Sequence, residues 1–173
     1  LDIQRNMGVI YEKQDNYKEA NKMYLKRLNF AKKYLGTQHI ECDKAIYDLA
    51  AMYWKFDYKE EALKNFTALA RTIKASGNEE NHPLAAKCYR HLGLIMKDKG
   101  NNKLALKFHR MTLKIFTANK ANQKDPDIDV PRLYLNIAIA QKNQMDFKGA
   151  WKNLKRALEL ETQSSTRQEN KIR

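Results

Sequence analysis

Residues His91–His109 read HLGLIMKDKGNNKLALKFH, two apolar patterns on either side of Gly100-Asn101-Asn102. Gly93 and Met96 stand three apart before the break, and Ala105 and His109 four apart after it, steps at which side chains share one face of an α-helix. Glycine and asparagine favour helix ends and turns, so the stretch predicts two helices joined by a tight turn. Gly93 on the first helix and Ala105 on the second are small enough to let two backbones approach closely.

The same quartet recurs three more times. Gly8, Tyr11, Ala20 and Tyr24 form one copy, Ala50, Tyr53, Ala62 and Phe66 a second, and Ala138, Gln141, Ala150 and Leu154 the last, at identical internal spacing. Successive copies start 42, 43 and 45 residues apart. A near-constant period in this range signals stacked supersecondary units rather than one closed globule. Asp15-Asn16, Phe56-Asp57 and Met145-Asp146 supply turn residues at the corresponding places. The chain is therefore expected to be all-α, with units over residues 1–38, 39–80, 81–125 and 126–163 and a polar tail or linker over 164–173.

These residues resemble the tetratricopeptide repeat, whose pattern runs Trp-x2-Leu-Gly-x2-Tyr and then Ala-x3-Phe. NMGVIY with YKEANKMY, and HLGLIMKDKGNNKLALKFH, follow it closely, YDLAAMYWKFDYKEEALKNF nearly so, and LNIAIAQKNQMDFKGAWKNL more loosely. The ordinary repeat has about 34 residues, and the extra residues here fall in AKKYLGTQHIECDKA and TIKASGNEENHPLAAKC, extending each second helix. KRLNFAKKYLGTQHIECDKAIYDLA is similar to the rhythm of kinesin-light-chain-type repeats. His82-Pro83 keeps the His-Pro pair of that rhythm, whereas Ile40 follows His39. The resemblance implies a right-handed α-solenoid of four helix pairs, without enzymatic activity, holding a protein segment along a groove lined by the first helices.

Carried onto this sequence, the groove takes Arg5, Asn6, Val9 and Lys13 from the first unit and Lys44, Tyr47, Trp54 and Lys55 from the second. It takes Lys87, Arg90, Leu94 and Lys97 from the third, and Arg132, Asn136 and Ile139 from the fourth. Apolar centres with basic ends suit a peptide bearing acidic residues. Tyr47 and Trp54 are the expected anchors, since aromatic side chains dominate interface energies. The clamp of chaperone-binding repeats is absent: Arg5, Tyr47, Arg90 and Leu135 are followed four residues on by Val9, Ala51, Leu94 and Ile139, not by asparagine. Asn6 and Asn136 occupy the place of the groove asparagines of light-chain-type repeats, from which Asp48 and His91 depart.

Thirty-three Lys and Arg against 20 Asp and Glu leave a net charge of +13, which favours acidic partners. Lysines also solvate long helix faces, so the balance alone assigns no surface. Cys42 and Cys88 lie about one repeat apart, without a second thiol at metal or redox spacing, and read as reduced thiols of an intracellular, cytoplasmic protein. His39, His82, His91 and His109 lack metal-ligand spacing. No phosphate loop, nucleophile elbow or HExxH occurs, so neither cofactor nor catalysis is expected. No apolar run reaches the ~18 residues of a membrane span. Leu1 falls inside a repeat, and the first unit shows no obvious polar outer face of a terminal repeat, so a piece of a longer protein is expected.

The light-chain-like subtype implies a cytoskeletal, motor or ciliary (axonemal) assembly, with tubulin or motor components among acidic partners and no small-molecule or membrane ligand. Two alternatives stand beside it: single-stranded RNA stacked on Tyr47 and Trp54 in the basic groove, and a regulator that binds short signalling peptides.

Overall fold

A computed structural model of the chain describes residues 1–118 and 128–172, with side chains up to residue 163. The described residues form eight α-helices and no strand: α1 Asp2–Lys13, α2 Tyr17–Leu35, α3 Ile40–Lys55, α4 Lys59–Ala75, α5 Ala85–Asp98, α6 Asn102–Ala118, α7 Val130–Lys142 and α8 Phe147–Ile172. The expected boundary after residue 125 lies outside the described residues, as do the side chains of Ser164, Ser165 and Thr166. The chain divides into two compact units, Leu1–Asn78 and Glu79–Arg173, each holding two helix pairs. Second helices of 19, 17, 17 and 26 residues exceed their first helices of 12, 16, 14 and 13.

All four turns within pairs end the first helix alike. Asp15, Asp57, Gly100 and Met145 take left-handed φ angles of 52°, 63°, 72° and 63°. The next N–H then reaches back five residues, from Asn16 to Tyr11, Tyr58 to Tyr53, Asn101 to Met96 and Asp146 to Gln141, at 2.9–3.0 Å. This is the hydrogen-bond closure of a Schellman cap, which satisfies carbonyls the helix end would strand. Glycine adopts the conformation without penalty and aspartate tolerates it, whereas exposed Met145 carries its strain unaided. The residue after the turn caps the second helix in three pairs: Asn16 Oδ1 accepts from Glu19 N–H at 3.3 Å, Asn101 Oδ1 from Leu104 at 3.1 Å and Asp146 Oδ1 from Gly149 at 2.9 Å.

In the first unit, Ala20, Tyr24 and Leu28 of α2 pack on Ala45, Leu49 and Met52 of α3, with Tyr11, Tyr17, Ile46, Tyr53 and Phe56 around them. Tyr17 stacks on Tyr58 at 4.3 Å between ring centroids and meets Phe56 edge-on at 5.6 Å, tying the start of the second helix of one pair to the turn of the next. His39 marks the entry to α3, its Nδ1 accepting from Glu41 N–H at 3.2 Å. Ala50 and Ala62 are fully buried, as their place in the quartet requires.

In the second unit, Gly93 of α5 faces His109 of α6 so closely that a Cβ on the glycine would lie 2.5 Å from the imidazole. The first and last members of the quartet touch in the same way at Gly8 and Tyr24, at 2.8 Å. Gly93→Leu is expected to overpack this crossing and cost about 1–3 kcal/mol; an unchanged melting temperature would contradict the repeat register. Ala105 and Ala138 are buried and Ala150 nearly so. Gln141 stands where other copies carry Tyr11, Tyr53 or Met96. It uses its amide instead, donating from Nε2 to Asp146 Oδ2 at 2.6 Å and accepting from Asn153 Nδ2 at 2.6 Å.

Candidate functional site

The first helices of the first unit, α1 and α3, hold eight of the expected groove residues, and three of their four cations, Arg5, Lys44 and Lys55, are engaged within the unit. Arg5 Nε donates to Asp48 Oδ2 at 2.9 Å. Lys55 Nζ donates to the Glu12 carbonyl at 3.1 Å and lies 3.4 Å from its carboxylate. Lys44 pairs with Glu41 at 2.7 Å. Arg27 of α2, absent from the expected set, donates to both Asp48 and Glu41 from beneath. Burial pushes the Asp48 carboxyl up while the guanidiniums of Arg5 and Arg27 oppose it. Lys44 pulls Glu41 below its ordinary value through a hydrogen bond.

Tyr47 is half-buried and meets Phe66 of its own helix pair edge-on at 5.8 Å. Trp54 and Val9 are half-buried, and Asn6 and Lys13 are exposed. The face is therefore apolar at its centre and largely charge-compensated at its ends.

The second unit arranges its residues differently. Arg90 and Leu94 of α5 converge with Arg132 and Asn136 of α7, and with Asp129 and Leu133, on a pocket of about 160 Å³. Asp129 caps α7, its Oδ1 accepting from Arg132 N–H at 3.0 Å, and Pro131 follows in the first turn, where it costs no hydrogen bond. Lys97 Nζ donates to Asn136 Oδ1 at 3.2 Å, so the asparagine turns its carbonyl to the lysine. Arg90 Nη2 meets His91 Nε2 at 3.0 Å, and its Nε, shielded from solvent, has no hydrogen-bond partner among the described residues. Two arginines, an amide and the Leu94 side chain thus line one small cavity together with the Asp129 carboxylate, 3.9 Å from Arg132 Nε and open to solvent, a set suited to a carboxylate that takes Asp129's place at the arginines. Lys87 and Ile139 are half-buried outside that pocket.

The expectation of a basic groove did not include a second surface, on α6. Lys103, Lys107, Arg110 and Lys114 line an open cleft of about 590 Å³ with Leu106, Met111 and Gln144. Their spacing of four, three and four residues puts them on one helix face. Glu80 pairs with Lys114 at 2.8 Å. This face was legible as a helical charge pattern, whereas the acidic partners Glu12, Glu41, Asp48 and Asp129 were not, because three of them engage cations on other helices. Among the described residues no cluster of His, Cys, Asp and Glu could hold a metal ion, and no helix is long and apolar enough to cross a membrane.

The model of the tetratricopeptide repeat family matches residues 1–41. Among solved structures, BtubC (BKLC) from P. vanneervenii superposes on 95% of this chain and 64% of its own, with a TM-score of 0.81 and 18% identity. The nearly identical TPR-like repeats of a kinesin light chain from Podosopora anserina align with 94% of this chain and 75% of theirs, with a TM-score of 0.76 and 16% identity. MamA follows at 95% and 80%, 0.67 and 22%. No curated protein sequence matches the chain. At these identities the likeness is one of fold: an all-α solenoid of tetratricopeptide-type pairs, kinesin-light-chain-like repeats among its neighbours. The chain spans less than two thirds of BtubC.

Proposed function

We propose that the protein is a non-enzymatic interaction scaffold that binds an acidic segment of another protein, and that the second unit supplies the charge recognition. The carrying observation is the pocket of Arg90, Leu94, Arg132 and Asn136, where two guanidiniums converge on a space of about 160 Å³. In the first unit Arg5, Lys44 and Lys55 face carboxylates at 2.7–3.4 Å, closer than the 3.9 Å between Arg132 and Asp129 in the pocket, so a ligand there would displace tighter ion pairs and gain less. Trp54 and Val9 offer that unit an apolar contact instead. The assembly we propose is cytoskeletal or motor-associated, with tubulin tails or motor components as acidic partners. It is supported by the kinesin-light-chain fold likeness and by the net charge of +13; a ciliary setting is the narrower form of the same proposal.

The test is fluorescence anisotropy with a labelled glutamate-rich peptide and, in parallel, an oligouridine of equal charge. Arg90→Ala with Arg132→Ala is expected to weaken peptide binding about tenfold or more, while Arg5→Ala with Lys44→Ala changes it less than about threefold. Equal losses from both pairs would reject the pocket. Tighter binding of the RNA, falling steeply with salt, would move the site to nucleic acid.

A further inference from the structure

Among the four second helices, α6 alone carries no acid. Its 17 residues contain four cations and no Asp or Glu, whereas α2 has Glu19, α4 has Glu60 and Glu61, and α8 has Glu159. Lys103, Lys107, Arg110 and Lys114 follow one another at steps of four, three and four residues, so every neighbour along that face bears the same charge, which destabilises a helix. Lys103 also stands in the first turn, where the helix dipole disfavours a cation and no acid offsets it. Among the described residues Lys103, Lys107 and Arg110 form no ion pair, and Lys114 pairs with Glu80 at 2.8 Å. The carboxylate that the charge of Arg110 reaches, Asp146, already accepts hydrogen bonds from Gly149 N–H and Gln141 Nε2. The row is turned away from buried Ala105, Thr112 and Phe116, so it stays open although α6 is packed on both α5 and α7. All four side chains are exposed, and packing does not require them. A row that costs the helix stability without serving the core is a local conflict of the kind found at functional surfaces.

We propose that the cationic row of α6 is a second docking surface, which takes an acidic amphipathic helix of a partner protein. The row runs about 16 Å along the helix axis at an open cleft of about 590 Å³ that Leu106, Met111 and Gln144 also line. Charge complementarity calls for an anion. A helix repeats its own carboxylates at the same steps of three and four residues, so one face of it meets all four cations. Leu106 and Met111 lie half-buried on the two flanks of the row and give apolar side chains of that helix a contact, the methionine adapting to their shape. A single nucleic-acid strand would need aromatic side chains on which to stack its bases, and among the described residues none lines the cleft. A bilayer would need apolar side chains that project as far as the cations, whereas these two are less exposed than the row they flank. The surface shares no lining residue with the pocket of Arg90 and Arg132 and stands independently of it.

Fluorescence anisotropy of the whole chain with two labelled peptides of about 15 residues, long enough to span the row, tests this. The first peptide places glutamates at steps of four, three and four with leucines on both flanks, and the second scrambles the same residues. The first is expected to bind about tenfold or more tightly than the second, by a margin that shrinks as salt is added. Lys107→Glu with Arg110→Glu is expected to remove that preference. Lys64→Glu with Arg71→Glu, an equal change of charge at exposed positions of α4, is expected to leave it within about twofold. The α6 variant replaces two of the three like-charge contacts by opposite-charge ones, so it is expected to melt no lower than wild type, which separates lost binding from lost folding. Equal affinity for the two peptides overturns the proposal. So does a preference lost with Arg90→Ala and Arg132→Ala instead, which would place the peptide in the pocket, or a marked fall in the melting temperature of the α6 variant, which would mean that the row serves the fold. Tighter binding of an oligouridine of equal charge, or of vesicles containing phosphatidylserine, would assign the row to another class of anion and overturn it as well.

Discussion

Arg27→Met is expected to destabilise the first unit by about 3–5 kcal/mol, the cost of removing one member of a buried ion cluster. Arg27 is 2% exposed. Its Nη1 donates to Asp48 and its Nη2 to Glu41 at 3.1 Å, so a single α2 side chain holds two carboxylates of α3. Methionine matches the length but leaves Asp48 with only Arg5, whose side chain is half exposed, and Glu41 with only Lys44. The larger part of the loss is the stranded carboxylate rather than the bond energy. Arg27→Met combined with Asp48→Leu is accordingly expected to be more stable than Arg27→Met alone, since an ion pair replaced whole by apolar groups costs little. Urea denaturation of wild type, Arg27→Met, Asp48→Leu and the double variant decides it: a double variant as unstable as the sum of its parts would mean that the cluster is not coupled.

Lowering the pH from 7.5 to 5 is expected to weaken the second unit by about 2 kcal/mol through His109 alone, reaching about 3 kcal/mol by pH 4. His109 is fully buried, and neither ring nitrogen has a hydrogen-bond partner among the described residues. Burial lowers its pKa from 6.5 to about 4, with the charges of Lys97 and Arg90 adding to the effect. Between those values the unfolded chain binds the proton and the folded chain does not, so stability is complete above about pH 6.5 and falls as the medium is acidified. His109→Phe removes the titration and the two unpartnered nitrogens. The corresponding position of the second repeat already holds a buried Phe66, opposite Ala50 where this repeat has Gly93. The variant is expected to be more stable than wild type at pH 7.5, with a gap that widens toward pH 5. A gap constant with pH would show that His109 takes up its proton without leaving the core.

The departures from expectation at the candidate site have one cause. Arg5, Lys44 and Lys55 were read as groove cations from their place on the first helices, and that place is on the unit's surface. Their availability depends on Asp48, Glu41 and Glu12, and two of these partners come from the other first helix of the unit, 43 residues away. Tyr47, expected as a ligand anchor, has an aromatic neighbour in Phe66 that its own helix pattern could not announce. Arg90, Leu94, Arg132 and Asn136 were named one helix at a time, and only the packing of the second unit closes them around one cavity with Asp129.

By itself the sequence determined the helix pairs, their turns and the small residues at their crossings. Those features depend on the period of the α-helix, on the left-handed turn that Asp15, Asp57 and Gly100 tolerate, and on the absence of a Cβ at Gly8 and Gly93, all of which are local. Only the tertiary structure decided which charges are neutralised and which nitrogens of His109 are stranded. Electrostatic and burial energies depend on distances between residues tens of positions apart, and such distances exist only once the helices have packed.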